Sequence, residues 1–162
     1  MEEESFTHLG GDGRARMVDV SDKEPTRRSA EASCVVRSRA DVLSLAGSPG
    51  GLNPGLAARL AGVQAAKRTS ELIPLCHPIN LNDVHVEVDQ RDDGVVVRAI
   101  VVAVNRTGVE MEALTACSFA ALSLISAVAD RDPRARVEDL VLLRKTGGKS
   151  ADWGRLVPET RT

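Results

Sequence analysis

The fold is decided by a central stretch that reads LNDVHVEVDQRDDGVVVRAIVVAV at residues 81–104. Its first part, Leu81–Val88, alternates apolar and polar residues with a period of two, which is typical of a strand with one buried face. The turn signal Asp93-Gly94 follows, and Val95–Val104 is then rich in β-branched residues. Together these features predict an antiparallel hairpin.

A helical pattern begins directly after this hairpin. Thr107-Gly108-Val109-Glu110 matches a capping box, in which the Thr and Glu side chains bond to the first backbone N–H groups of a helix. We therefore predict a helix over 109–130, closed by Pro133. Its apolar face is assigned to Leu114, Cys117, Ala121, Leu122, Ile125 and Val128. Glu112 lies about 200° around the helix from Glu110, so we expect only Glu112 to face a site.

The flanking segments complete the pattern of elements. We predict a strand near 30–38, a helical segment at Ala40–Ala46 and a helix over Pro54–Arg68, which places Leu56, Leu60, Val63 and Gln64 on one side. A last strand is predicted at Val137–Leu143. The core order β-α-β-β-α-β indicates an α+β ferredoxin-like sandwich, with helices on one face of an antiparallel sheet. Since little chain remains to cover the other face, we expect the protein to be oligomeric.

Length and composition suit one domain of 162 residues. We expect a flexible N-terminal arm at 1–16, the ordered domain at 17–153 and a C-terminal tail at 154–162. No uninterrupted apolar run approaches the roughly 20 residues of a membrane span, and the acidic start lacks a signal-like pattern. The expected location is the cytoplasm, without membrane contact.

Cysteine content and charge exclude several other classes. Cys34, Cys76 and Cys117 form no C-x-x-C pair, so we interpret them as reduced thiols that pack as small hydrophobes. The net charge is −2 and the chain has one Trp, two Phe and no Tyr. A nucleic-acid partner is therefore not expected, because neither a basic surface nor stacking residues are present.

Lysine is scarce among the 21 basic residues and occurs only as Lys23, Lys67, Lys145 and Lys149. This bias indicates positions where a compact charge is needed, although chance explains it equally well. The last two flank a Gly147-Gly148 turn. It is not a Walker A motif, because Leu143 stands where that motif needs glycine. Free N–H groups and ammonium groups would suit phosphate oxygens there, and the alternative is an ordinary basic turn.

A histidine stands between two prolines in the segment Leu72–Pro78. Pro74 and Pro78 restrict the backbone on both sides of His77, which indicates a rigid loop. Histidine as a residue type suits proton transfer near neutral pH, and a purely structural histidine is the alternative. A nucleophilic pair with Cys76 is disfavoured, because adjacent side chains on an extended loop diverge.

Five segments together resemble the cyclic pyranopterin monophosphate synthase family, MoaC. They are Met17–Ser21, Ala61–Thr69, Leu72–Pro78, Thr107–Thr115 and Lys145–Ser150. The resemblance runs from about residue 14 to 153. It implies a ferredoxin-like subunit in a homohexamer, a trimer of dimers, with active sites at the dimer interface.

The resemblance also implies an activity in molybdenum cofactor biosynthesis. The family, a class of lyases, converts (8S)-3′,8-cyclo-7,8-dihydroguanosine 5′-triphosphate to cyclic pyranopterin monophosphate and releases diphosphate. A phosphorylated purine or pterin is then the small-molecule partner, and no cofactor or metal site is implied. By position, the catalytic candidates are Lys67, His77, Glu112, Lys145 and Lys149. The substrate-binding candidates are Leu75, Cys76, His77, Met111 and Glu112, with Lys23 and Arg28 as further phosphate contacts.

Three positions depart from the family pattern. Ser126 replaces a catalytic aspartate, and Ala129 and Gly51 replace lysines. Asp130 lies one turn beyond Ser126 and offers a partial substitute for the carboxylate only. General acid–base groups contribute about 10² to 10⁴ each in rate, so the resemblance implies either a synthase of reduced activity or a diverged paralogue. The paralogue would bind a related phosphorylated nucleotide or pterin, or act as a partner of a true synthase.

Overall fold

The structure is a computed structural model that describes residues 8, 13–44, 53–92, 94–148 and 152–155. The elements are β1 Thr26–Arg37, α1 Pro54–Lys67, α2 Thr69–Leu72, β2 Asp83–Arg91, β3 Gly94–Asn105, α3 Glu110–Val128, β4 Arg136–Thr146 and β5 Trp153–Gly154. The strands form one antiparallel sheet in the order β2-β3-β1-β4-β5. The predicted α+β ferredoxin-like class is confirmed, and β5 is a short edge strand that we did not predict.

The central hairpin is confirmed, with Val88 opposite Val97 and Glu87 opposite Arg98 in β2 and β3. Its turn depends on Gly94, whose φ is +146°. A Cβ at this position would overlap the backbone carbonyl of Val36 on the neighbouring strand. Glycine is therefore required both for the backbone conformation and for the close approach of β1.

Small residues build the core between the sheet and the helices. The fully buried positions of β1 and β3 include Ala32, Val36, Val97, Ala99 and Val101. Phe119 and Trp153 are both exposed. Without large side chains to fill a gap, the helices must approach closely to exclude voids.

The closest helix contact lies at Gly62 of α1. A Cβ added there would stand 2.9 Å from the carbonyl oxygen of Ala116 and 3.3 Å from the Cβ of Ala120, both in α3. The two helices pack against each other, and the short α2 that follows α1 also contacts α3. Gly62 thus sets the spacing of the helix layer.

A valine at Gly62 is expected to destabilise the fold by roughly 1–3 kcal/mol, because the backbone of α3 must move to accept it. Chemical denaturation of Gly62→Val against the natural chain measures this. Gln64→Val is the matched control, since it introduces the same residue at an exposed position of the same helix. Equal stability of the two variants would contradict the close contact.

The predicted helix faces were wrong in part. Leu56, Leu60 and Leu122 are 48%, 59% and 53% exposed, whereas the buried face of α1 consists of Pro54, Gly55, Ala58, Gly62, Ala65 and Ala66. Alanines occur on every side of these helices, so hydrophobic periodicity did not identify the buried side. The small residues face the core because the helices lie close to the sheet, and the leucines face away from the core.

Two local predictions also need correction. The predicted helix at Ala40–Ala46 is a turn in its described part, where the Ser44 N–H donates to Asp41 Oδ1 at 3.1 Å. Residues 45 and 46 lie outside the described residues. The capping box before α3 is not formed, because the N-cap is Val109 and no side-chain cap is present in the described part of the chain.

The outer face of the sheet is partly apolar. On β3, Ile100, Val102 and Val104 alternate with the buried residues, and Arg98 forms an ion pair with Glu31 at 3.4 Å. The expected association of subunits stays a prediction. Helix α3 is long and apolar enough by length and composition to cross a membrane, but its buried face packs on α1 and the sheet, as in a core helix.

Candidate active site

The loop between α2 and β2 presents His77 in a fixed orientation. Leu75 lies in the left-handed region with φ of 65°, which costs a non-glycine residue about 1–2 kcal/mol. The Cys76 N–H bonds to the Ile73 carbonyl at 3.4 Å and closes the turn. His77 is then directed at the N-terminal segment, where its Nε2 lies 2.8 Å from the Val18 carbonyl oxygen. The strained turn therefore directs the imidazole.

This hydrogen bond fixes the tautomer of His77. A carbonyl oxygen only accepts, so Nε2 carries the proton and Nδ1 is the unprotonated nitrogen of the neutral ring. Asp19 stands close to this ring. The Ser21 hydroxyl and N–H donate to its Oδ1 at 2.7 and 2.9 Å, and these bonds, with a smaller contribution from His77, lower the pKa of Asp19. An ionised carboxylate thus accompanies the imidazole.

A cleft of about 180 Å³ lies in front of His77. It is lined by His8, Leu75, Cys76, His77, Ile79, Thr107, Gly108, Glu110, Met111 and Glu112. The structure therefore brings together all five residues of the predicted substrate-contacting segments. They come from the α2–β2 loop and from the first turn of α3, which are far apart in sequence.

Glu112 is the buried acid of this cleft, with only 4% of its surface exposed. Burial raises its pKa to about 7, its own backbone N–H opposes the shift, and Glu110 adds to it. Near neutral pH this carboxyl therefore exists in both protonation states, as a proton donor and as an acceptor. Burial also raises the pKa of Cys76, and Glu112 adds to this, so the thiol stays protonated.

Glu110 has a different role from the predicted one. Its side chain folds back over Gly108, and its Oε1 lies 3.4 Å from Lys145 Nζ. Both Glu110 and Glu112 line the cleft, so the expectation that only Glu112 faces a site was wrong. Glu110 is the first residue of α3 and its carboxylate lies against Gly108, which precedes the helix, so the angular separation of 200° does not decide where it points.

A smaller basic pocket of about 30 Å³ adjoins the cleft. It is lined by Arg28, Ser29, Gly108, Val109, Glu110, Lys145, Thr146 and Gly147. Gly108 and Glu110 belong to both cavities. Arg28 donates through Nη2 to the Arg106 carbonyl at 3.3 Å, while its buried Nε has no hydrogen-bond partner among the described residues. This space suits one or two oxygen atoms of an anion.

The glycine turn packs against this pocket. Gly147 and Gly148 have φ of +87° and +88°, and a Cβ would overlap the Arg27 carbonyl at the first and the Arg28 guanidinium at the second. The Gly147 N–H, which we expected to be free, donates to Asp152 Oδ1 at 3.0 Å. The turn does bind an anionic oxygen, but in this structure the oxygen belongs to the protein itself.

Several predicted residues lie outside these two cavities. Lys67 is exposed at the end of α1 and Lys23 is half-buried, and neither is among the described residues of the two linings. Lys149 and Gly51 lie outside the described residues. Ser126 and Ala129 are exposed, and Ser126 stands 14 positions, or about 21 Å, along the helix from Glu112.

Three contributors were missed in the sequence. His8 lies within the predicted arm, Glu110 was assigned to a cap, and Asp152 lies near the end of the predicted domain, where no site residue was expected. Only Glu110 carried a signal, since a second carboxylate stands two residues before Glu112. No group of three or more His, Cys, Asp or Glu suited to a metal occurs among the described residues.

Gly108→Ala is expected to lower kcat/KM at least about tenfold while leaving the melting temperature nearly unchanged. The three atoms nearest to a Cβ at Gly108 all belong to the flexible carboxylate of Glu110, so that side chain moves away from Lys145 and the fold is kept. Steady-state kinetics and thermal denaturation measure the two quantities. Glu110→Gln should reproduce the kinetic loss, and an unaltered kcat/KM in both variants would contradict a role for this contact.

Comparison with known proteins places these features in one family. The family model described as MoaC family matches residues 17–148. A cyclic pyranopterin monophosphate synthase of Nocardioides sp. is 48% identical over 93% of this chain and 95% of that protein. The protein of that name from Streptomyces avermitilis is 46% identical over 94% and 91%, and synthase 2 of Mycobacterium bovis is 45% identical over 93% and 91%. At this identity and coverage, the chain belongs to the MoaC family.

Proposed function

We propose that this protein is a cyclic pyranopterin monophosphate synthase of molybdenum cofactor biosynthesis. It converts (8S)-3′,8-cyclo-7,8-dihydroguanosine 5′-triphosphate to cyclic pyranopterin monophosphate and diphosphate. Relatives with this name match the chain over nearly their whole lengths. The observation that carries the proposal is one cleft that holds His77 and a buried Glu112 and adjoins a pocket with Arg28 and Lys145.

The charges of the two cavities indicate which part of the substrate each cavity binds. The described lining of the cleft contains no lysine or arginine, whereas Arg28 and Lys145 line the adjoining pocket. The triphosphate therefore lies toward that pocket, and the purine-derived rings enter the cleft. The γ- and β-phosphates leave as diphosphate from the basic side. Lys67, Lys149 and Lys23 stay in the proposed phosphate-binding set on the strength of the family resemblance.

Proton transfer is assigned to two groups in the cleft. Opening the purine ring and closing the cyclic phosphate both require protons to be removed and delivered. His77 accepts a proton at Nδ1, because Nε2 is held by Val18. Glu112, with a pKa of about 7, donates or accepts at neutral pH. Leu75, Cys76 and Met111 line the cleft beside these two groups and contact the rings in this proposal.

The proposed assembly is a homohexamer, a trimer of dimers, with each site at a dimer interface in the cytoplasm. The separation of about 21 Å between Glu112 and Ser126 supports it, because the two ends of α3 do not serve one compact site within one chain. The exposed leucines of α1 and α3 and the apolar outer face of β3 provide surfaces for contact. Ser126, Ala129 and Gly51 reduce the rate in this proposal without abolishing the reaction.

Product analysis tests the function. The purified protein is incubated with the cyclic triphosphate, and the pyranopterin is followed by mass spectrometry and the diphosphate by a coupled enzyme assay. We expect the two products in equal amounts, and neither of them from GTP. The absence of both products with protein in excess would reject catalysis and would favour the diverged paralogue.

A further inference from the structure

The N-terminal segment brings a second imidazole to the cleft. His8 lines the same cavity as His77 and Glu112, although it falls within the predicted flexible arm. Its position is held by backbone contacts, since the Arg16 N–H donates to the His8 carbonyl at 2.9 Å. His8 Nδ1 lies 3.4 Å from the Arg16 carbonyl oxygen.

The two histidines are held in opposite tautomers by carbonyls of one segment. Because the Arg16 carbonyl only accepts, Nδ1 of His8 carries the proton and Nε2 is the free acceptor of the neutral ring. In His77 the Val18 carbonyl binds Nε2 and leaves Nδ1 free. The carbonyls of Arg16 and Val18 therefore leave two different ring nitrogens free as acceptors, Nε2 of His8 and Nδ1 of His77.

The third histidine of the chain, in contrast, lies away from the cleft. His85 lies on β2, is exposed, and places its Nε2 3.1 Å from Glu87 Oε1. It is absent from the described linings of both cavities. It is a natural reference for experiments on the other two.

The geometry points to His8 as a further substrate-contacting residue, which accepts a hydrogen bond at Nε2 from an N–H or O–H of the purine-derived portion. This inference rests on the proposed function. No lysine or arginine occurs in the described lining of the cleft, whereas Arg28 and Lys145 line the adjoining pocket and attract phosphate there. What reaches His8 is therefore the uncharged heterocycle, whose ring N–H groups need acceptors.

Substitutions of His8 distinguish a contact with the substrate from a purely structural role. His8→Ala is expected to raise KM roughly 3- to 10-fold with little change in kcat, as for the loss of one hydrogen bond. His8→Gln should restore most of the affinity, because its side-chain oxygen reaches the position of Nε2. His85→Ala is the matched control and should leave KM unchanged. Failure of glutamine to restore KM would indicate that His8 acts only through the fold.

Histidine resonances provide a direct readout of contact. The chain has 3 histidines, so selective ¹³C labelling of the full protein gives three imidazole signals, assigned with the His8→Gln and His85→Gln variants. The cyclic triphosphate should shift the His8 and His77 signals and leave His85 in place, whereas inorganic diphosphate should leave His8 in place. A shift of His77 alone would overturn the role of His8 and keep the proposed function. No shift of either would reject both, and equal shifts of all three signals would overturn a direct contact.

Discussion

Glu112→Gln is expected to lower kcat/KM by about 10² to 10⁴ and, at pH 8, to make the protein more stable than the natural chain. Glutamine keeps the size and polarity of the side chain but cannot transfer a proton. It also removes a charge from a site that is only 4% exposed. A gain in stability with a loss of function is typical of an active-site residue that is kept for its chemistry.

The stability difference depends on pH with a definite sign. Burial raises the pKa of Glu112 from 4.5 to about 7, so the folded state holds this proton more tightly than the unfolded state. The ionisation of Glu112 therefore leaves the free energy of unfolding unchanged below about pH 4.5. It lowers the free energy of unfolding as the pH rises toward 7, and its effect is constant above that pH. The cost at pH 8 is on the order of 3 kcal/mol, which glutamine avoids.

Urea denaturation of both proteins at pH 4.5 and pH 8 measures this difference. Glu87→Gln is the control, because it neutralises a carboxylate that lies on β2 away from the cleft and pairs with His85. The control should be nearly as stable as the natural chain at both pH values. A Glu112→Gln variant whose stability advantage does not change with pH would contradict the burial of an ionisable Glu112.

The combined substitution Gly51→Lys, Ser126→Asp and Ala129→Lys is expected to raise kcat by 10² or more. The family resemblance assigns an aspartate and two lysines to these positions, and each acid–base group typically contributes about 10² to 10⁴. Ser126 and Ala129 are exposed at the end of α3, so the new side chains need no rearrangement of the core. In the proposed hexamer they would face the cleft of a neighbouring subunit.

A matched variant controls for the added charge. Ala127→Asp places a carboxylate one residue further along α3, at an equally exposed position that points about 100° away. It should leave kcat within about twofold. If the triple variant were no faster than the natural chain, the three departures would not be the cause of a reduced rate.

The sequence predicted the sheet and most of the cleft, because both depend on local signals. Alternation in Leu81–Val88 and the Asp93-Gly94 turn are sufficient for the hairpin, and the prolines around His77 indicate its loop. The helix faces were not predictable in the same way. Alanine is compatible with either side, and only the approach of Gly62 to α3 decides which side is buried.

The remaining site residues depend on tertiary contacts. Glu110 matched a capping pattern, but its contact with Lys145 of β4 prevails. His8 lies in a stretch without periodicity, and its place in the cleft follows from hydrogen bonds to Arg16. Asp152 reaches the Gly147 N–H only because β5 pairs with β4. No pattern within the sequence encodes these distances.

In the proposed function, this cleft converts the cyclic triphosphate with Glu112 as a proton-transfer group. The pH dependence of kcat/KM tests it most directly, because this quantity reports ionisations of the free enzyme. We expect formation of the pyranopterin with a change of slope near pH 7, which matches the pKa of about 7 of Glu112 and is absent in Glu112→Gln. A profile that is flat between about pH 6 and 8, together with full activity of Glu112→Gln, would contradict it.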